Sequence, residues 1–287
     1  MKFIVLKSGD LSLSLRPDIG GCIEGFWFKD HPVLRSSAPG SLVQVRNSAS
    51  YPLVPYSNRV AKAQLQWAGT SHPLVRNFGD EAHAIHGVGW QRPWQVLEAT
   101  DDFAMLSLEH SADRDWPFAF DASQTFRIKN NTLEMTMSIT NQSSGDAPVG
   151  LGWHPYFMKP AGTQLAFAAK GLWQMGGDKL PTSLQPSTGL HQVCDALNID
   201  NCFDGWGGSA TLRNAQWTAQ LTSNLQRLVV FTTPDKDFIA IEPVSHVNNA
   251  MNSQGNPKEL GVVVLGAGQS YQVSMSIAVQ ANPQPNL

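Results

Sequence analysis

The chain has 287 residues, a formal charge of −3 and only 15% charged residues, with no basic run. That balance excludes attraction to a phosphate backbone or an anionic membrane surface, so neither nucleic acid nor membrane is expected as a partner, and it points to a small, uncharged one. The 24 glycines, 18 prolines and nine tryptophans fit many strands and turns, and tryptophan in such number also fits stacking on sugar faces.

Taken in chain order, 2–6 and 11–15 read as short strands, the second alternating cleanly from Leu11 to Leu15. A turn over 17–21 leads to a strand over 23–28, and Leu42, Val43 and Val45 form an apolar patch. The polar, proline-bounded segment 51–59 reads as a loop, followed by a hairpin of 64–67 and 71–75 around Ala68-Gly69-Thr70. Residues 83–90 are glycine-rich and irregular. Strands resume at 94–98, 104–109, 122–128 and 133–139, the last with Leu133, Met135, Met137 and Ile139 on one face. Further strands are expected at 164–169, 211–216, 219–222, 228–232, 238–242, 261–265 and 270–279. No stretch of more than about ten residues has helical periodicity, and no linker divides the chain. The expectation is one all-β domain over 1–287, a large antiparallel β-sandwich or barrel, with a frayed tail at 281–287.

Cys22, Cys194 and Cys202 are odd in number and lack metal-ligand spacing, which points to a reducing compartment. The opening apolar run is cut off at Lys7, too short for a secretory core, and no later run is long enough to span a bilayer. A soluble, cytoplasmic protein is expected.

Five stretches have the wrong composition for ordinary sheet. In Gly150-Leu151-Gly152-Trp153-His154-Pro155-Tyr156-Phe157, proline biases His154 toward extended backbone and the glycines permit close approach. A histidine aimed in this way suits proton transfer; a buried histidine satisfied by a carbonyl is the bland alternative. In Asn58-Arg59, the guanidinium offers a rigid fork of donors for a diol or carboxylate, or merely a surface ion pair. His83 and His86 have a His-x-x-His spacing, but an extended backbone throws the rings to opposite faces, and no further ligand lies nearby. No metal is expected there, and His86, beside a glycine, is the better candidate for a ligand contact. Residues 198–203 read as a loop in which Asp200 accepts from hydroxyls or closes an Asx-turn. Glu242 ends an apolar run on the parity opposite Ile239 and Ile241, where a carboxylate is costly unless paired or used.

Together these stretches resemble the aldose 1-epimerase (galactose mutarotase-like) family. The matching pieces are Ser57-Asn58-Arg59-Val60, His86-Gly87 with Trp90 and Trp94, Trp153-His154-Pro155-Tyr156-Phe157, Ile199-Asp200, and Ile241-Glu242-Pro243 with the trailing asparagines, in the family's order. The serine and histidine after Pro243 and the short loops depart from the best-matching galactose enzymes, which leaves the preferred sugar open. The resemblance implies a twisted β-supersandwich binding a sugar on a concave face. It implies Glu242 as general base, His154 as general acid, and Arg59, His86, Asp200, Asn58 and Trp90 as sugar contacts. The implied reaction is interconversion of the α and β anomers of a free aldose such as glucose or galactose, by a monomer or homodimer without metal or cofactor. Ring opening needs one group to take the anomeric hydroxyl proton and another to protonate the ring oxygen. The working form expected has Glu242 ionised and His154 protonated. A mutarotase for a phosphorylated hexose would need clustered cations, with Arg59 and then Arg76 or Arg92 the available ones. A non-catalytic sugar-binding module would not need the Glu242–His154 pair, and a glycosidase would need a second carboxylate beside the bond.

Overall fold

The computed structural model describes residues 3–253 and 255–282, and its regular structure is almost entirely antiparallel strand. The larger sheet runs Gln95–Ala99, Phe103–His110, Phe120–Lys129, Thr132–Asn141, Ser270–Ala281, Trp217–Ser223, Ser209–Arg213, Gln164–Phe167, Leu190–Val193. Its long central strands follow from a strict period of two. Ala122, Phe126 and Ile128 are buried, as are Leu133, Met135, Met137 and Ile139 on the neighbouring strand, with Phe126 opposite Met135. Small hydroxyl side chains hold the other face, where Ser123 and Ser138 hydrogen-bond across the strands at 2.8 Å.

The second sheet positions the site. It runs Pro181–Pro186, Gly171–Met175, Ile199–Asp204, Arg227–Thr232, Phe238–Val244, Gly152–Trp153, Pro52–Leu53, with Tyr156–Met158 also paired to Phe238–Val244. A smaller sheet of Ile4–Ser8, Leu11–Arg16, Cys22–Phe28 and His31–Pro32 contributes Leu6, Leu13, Leu15 and Phe26 to the same core. The two large sheets meet where the Trp153 indole N–H donates to Gln124 Oε1 at 3.2 Å. Gln124 in turn donates to the Gly21 carbonyl, so this buried amide ties three segments together. This is the large antiparallel sandwich expected.

Three expectations change. Residues 198–203 are not a loop: Ile199–Asp204 is an interior strand, with Asp200 opposite Phe231 and Cys202 opposite Val229. Its asparagine and aspartates resemble turn residues, but Asp200 borders a polar cleft, Asn201 donates to the Trp173 carbonyl and Asp204 pairs with Arg227, which relieves the cost of placing them in a sheet. Gly171–Met175, Pro181–Pro186 and Leu190–Val193 are strands without a clear period, because they lie at or beside sheet edges, the first mostly half-buried and the other two largely exposed. In the expected patch near 42–45, Leu42 is buried but Val43 is 83% exposed. The tail beyond Asn282 and Lys2 lie outside the described residues. No described helix is long and apolar enough to cross a membrane.

Candidate active site

The sheet register sets the floor of a cleft of about 190 Å³ bordered by Tyr51, Asn58, Arg59, His86, His154, Asp200 and Glu242, among others. Val229 pairs with both Cys202 and Glu242, and Phe231 with both Asp200 and Ala240. Side chains in one cross-strand row share a face, so Asp200 and Glu242 stand on the same face, two strands and one diagonal step apart. Ile239 and Ile241, of the other parity, are wholly buried in the core.

The same alternation sorts Trp153 from His154. Trp153 faces the other large sheet, and His154, the next residue, enters the cleft. Its backbone N–H donates to the Tyr51 carbonyl at 3.0 Å, and the next carbonyl, that of Pro155, accepts from Ile241 at 3.2 Å. Gly152 lies between Leu53 and Val244, where a Cβ would come 2.6 Å from the Pro243 carbonyl oxygen; the close approach needs glycine. Tyr51 and Tyr156 lie against the His154 ring at centroid distances of 4.7 and 4.3 Å. The imidazole is thereby held with its Nε2 at 3.2 Å from Glu242 Oε1.

Both members of this pair are buried, and burial acts on them in opposite senses. It raises the Glu242 carboxyl well above its ordinary range, with Asp200 adding to the rise and Arg59 opposing it. It lowers His154 to about 3, against a local backbone hydrogen bond and with help from Arg35. Both shifts favour a protonated Glu242 beside a neutral His154, with one proton between them. Burial therefore opposes the charged form expected as the working one, with Glu242 ionised and His154 protonated. Glu242 Oε2, His154 Nδ1 and Arg59 Nε are buried without a hydrogen-bond partner, and all three belong to residues bordering this cleft. Three such atoms on one cleft suit a ligand whose polar groups would complete the bonding.

The opposite wall comes from irregular segments. Asn58 and His86 both have a positive φ, at 53° and 63°, and hold each other. The Asn58 N–H donates to His86 Nδ1 at 3.2 Å, and the His86 N–H donates to the Asn58 carbonyl at 2.8 Å. Since Nδ1 accepts, the ring proton is on Nε2, which makes His86 a donor there. Burial keeps His86 neutral, well below its usual range, with His154 and Arg59 adding to the effect. Gly87 follows at φ 71°, with a Cβ position only 2.3 Å from the Val54 oxygen; no other residue fits. Arg59 donates from Nη1 to Asn58 Oδ1 at 3.1 Å and from Nη2 to Glu81 Oε2 at 3.2 Å.

Of the residues singled out in the sequence, Glu242, His154, Arg59, His86, Asp200 and Asn58 meet in this cleft. Trp90 does not. It is fully buried behind Tyr51, at 5.4 Å between ring centroids, and its indole N–H donates to the Gly87 carbonyl; it supports the wall instead of touching a ligand. His83 also lies apart from His86, accepting from the Lys62 N–H and donating to the Asp178 carbonyl at 3.0 Å. Tyr51, Phe78, Glu81, Lys179 and Phe231 border the cleft without having been singled out.

Comparison with known proteins bears on the family and the fold. The family model described as aldose 1-epimerase matches residues 2–278. The uncharacterized protein YphB of Escherichia coli K12 is 33% identical over 98% of this chain and 99% of its own. A crystal structure of a candidate aldose 1-epimerase from Escherichia coli K12 superposes with a TM-score of 0.88 at 28% identity, covering 98% of this chain and 99% of that one. A galactose mutarotase-like protein from Clostridium acetobutylicum shares the fold, with a TM-score of 0.86 at 16% identity over 97% and 95% of the two chains.

Proposed function

The chain belongs to the aldose 1-epimerase family, and on that premise we propose that it interconverts the α and β anomers of a free aldose such as glucose or galactose. The observation that carries this reading is the buried His154–Glu242 contact at 3.2 Å, set in a cleft that also presents the polar groups of Asn58, Arg59, His86 and Asp200. In this reading Glu242 takes the proton from the anomeric hydroxyl and His154 delivers one to the ring oxygen. The C1–O5 bond breaks, the open-chain carbonyl forms, the C1–C2 bond rotates, and the reverse transfers close the ring on the other face.

The pair needs a single proton for this cycle. From the resting form, transfer across the 3.2 Å contact gives the charged pair that opens the ring; each half-reaction returns the proton to the other member. Arg59, His86, Asn58 and Asp200 orient the hydroxyls, with the His86 Nε2–H as a donor. A positioned acid or base contributes roughly 10²–10⁴-fold, which is adequate for a reaction that sugars undergo unaided in water. Cytoplasmic action as a monomer or homodimer belongs to the same proposal, and the buried free thiols Cys22, Cys194 and Cys202 support a reducing compartment.

The test is polarimetry of freshly dissolved α-glucose and α-galactose, with the Glu242→Gln protein as control. Acceleration by the natural protein alone is the expected result. Equal rates with both proteins, or with neither, would remove the reading.

A further inference from the structure

We propose that Glu81 determines which sugars the cleft accepts: it neutralises Arg59, so that uncharged aldoses are favoured over anionic ones. The inference rests on the sugar-binding reading above and adds a determinant of substrate class. A guanidinium is matched in shape and charge to carboxylates and phosphates, and a buried one without a counter-ion is a strong anion trap. Arg59 is such a buried guanidinium, its side chain only 8% exposed, but it has a counter-ion. Glu81, itself 14% exposed, holds its Nη2 at 3.2 Å, while Asn58 holds Nη1. The wall thus carries a hydrogen-bonding fork whose charge is already answered.

The charges bordering the cleft sum accordingly. Arg59 and Lys179 are positive; Glu81 and Asp200 are negative. His86 is neutral, and the His154–Glu242 pair with its single proton contributes nothing net. Glu81 remains ionised because, although burial opposes it, the hydrogen bond and charge of Arg59, together with Lys179 and His83, hold it below the ordinary carboxylate range. Replacing this one carboxylate by an amide leaves a cleft of net charge +1 without removing a sugar-facing donor. A purely structural ion pair would behave differently: its loss would weaken the binding of every sugar alike.

The experiment compares glucose with glucuronate, which carries a carboxylate in place of the primary alcohol, in binding titrations and in anomer exchange followed by NMR. In Glu81→Gln, the glucuronate-to-glucose affinity ratio is expected to rise about tenfold, the scale of one unit charge several ångströms away in a medium between protein and water. The gain should shrink as salt is added, and Glu81→Asp should return the ratio to that of the natural protein. An unchanged ratio in folded Glu81→Gln, or a natural protein that already prefers glucuronate, would overturn the role of Glu81. Should Glu81→Gln not fold, Lys179→Met takes the cleft to −1 and must move the ratio toward glucose; no movement overturns the proposal. Failure of the sugar-binding reading itself looks different: the natural protein then binds neither sugar and accelerates neither.

Discussion

The backbone N–H of Asn58 donates to the His86 ring at 3.2 Å, and the backbone N–H of His86 donates back to the Asn58 carbonyl at 2.8 Å. Each residue sits in the left-handed region, which asparagine and histidine enter more readily than most side chains, and the two hydrogen bonds hold both there. The result is a defined tautomer on the wall of the cleft, facing an acid–base pair on the floor. The predictions below test that division of labour.

Glu242→Gln keeps the size of the side chain and a hydrogen bond to His154 while removing the proton acceptor. Turnover should fall by about two to four orders of magnitude, and sugar binding measured by NMR titration should survive. Near-normal turnover in this protein would move the base elsewhere.

The pH profile follows from the one-proton pair. Adding a second proton means charging His154, which burial pushes down to about 3; removing the shared one means ionising Glu242, raised well above its usual range. Activity should therefore hold across neutral pH, with its acid limb due to His154 and its alkaline limb due to Glu242. His154→Asn should lower the rate and lose the acid limb, and Glu242→Gln should lose the alkaline one. A His154→Asn protein that keeps both limbs would make His154 structural.

No metal is expected to take part, since both ring nitrogens of His83 are engaged, with the Lys62 N–H and the Asp178 carbonyl, and His86 Nδ1 is engaged with Asn58. Prolonged treatment with a strong chelator should leave the anomerisation rate unchanged. Loss of the rate, followed by recovery on adding zinc, would contradict this.

His246 gives a stability prediction apart from the cleft. Its Nδ1–H donates to the Val247 carbonyl at 2.7 Å and its Nε2 accepts from the Ser57 N–H at 3.0 Å, so it is buried and neutral. Burial lowers it from 6.5 to about 4, opposed by the Val247 contact and aided by Arg227. As pH falls below 6.5 the unfolded chain takes up this proton first, so stability is lost between 6.5 and about 4. Melting temperature should drop through that window, less steeply in His246→Gln. An equal slope in both proteins would show that other groups account for the whole effect.

The sequence made the long strands legible wherever one face is buried and the other is wet, as from Leu133 to Ile139. It was misleading where polar side chains line a cleft: Asn198, Asp200 and Asn201 resemble a turn, yet Asp200 stands in an interior strand. The six residues that meet at the site were visible because each breaks the local pattern, as Glu242 does after an apolar run. Glu81 was not, since it lies among polar and glycine residues where nothing is out of place, and its meaning comes only from Arg59, 22 positions away. Trp90 misled in the other direction, because an aromatic beside a binding loop reads alike whether it touches a ligand or props the residue that does.

The placement of Glu242 among Ile239, Ile241 and Val244 also bears on how the chain finds its fold. A one-residue slip of Phe238–Val244 against its neighbours would turn the isoleucines into the polar cleft and drive the carboxylate into the sandwich interior. Misaligned pairings therefore incur two penalties at once, exposed apolar surface and a stranded acid. The group proposed to move protons is thus also a proofreading mark for assembly, and an apolar substitution there would cost alignment fidelity during refolding as well as turnover.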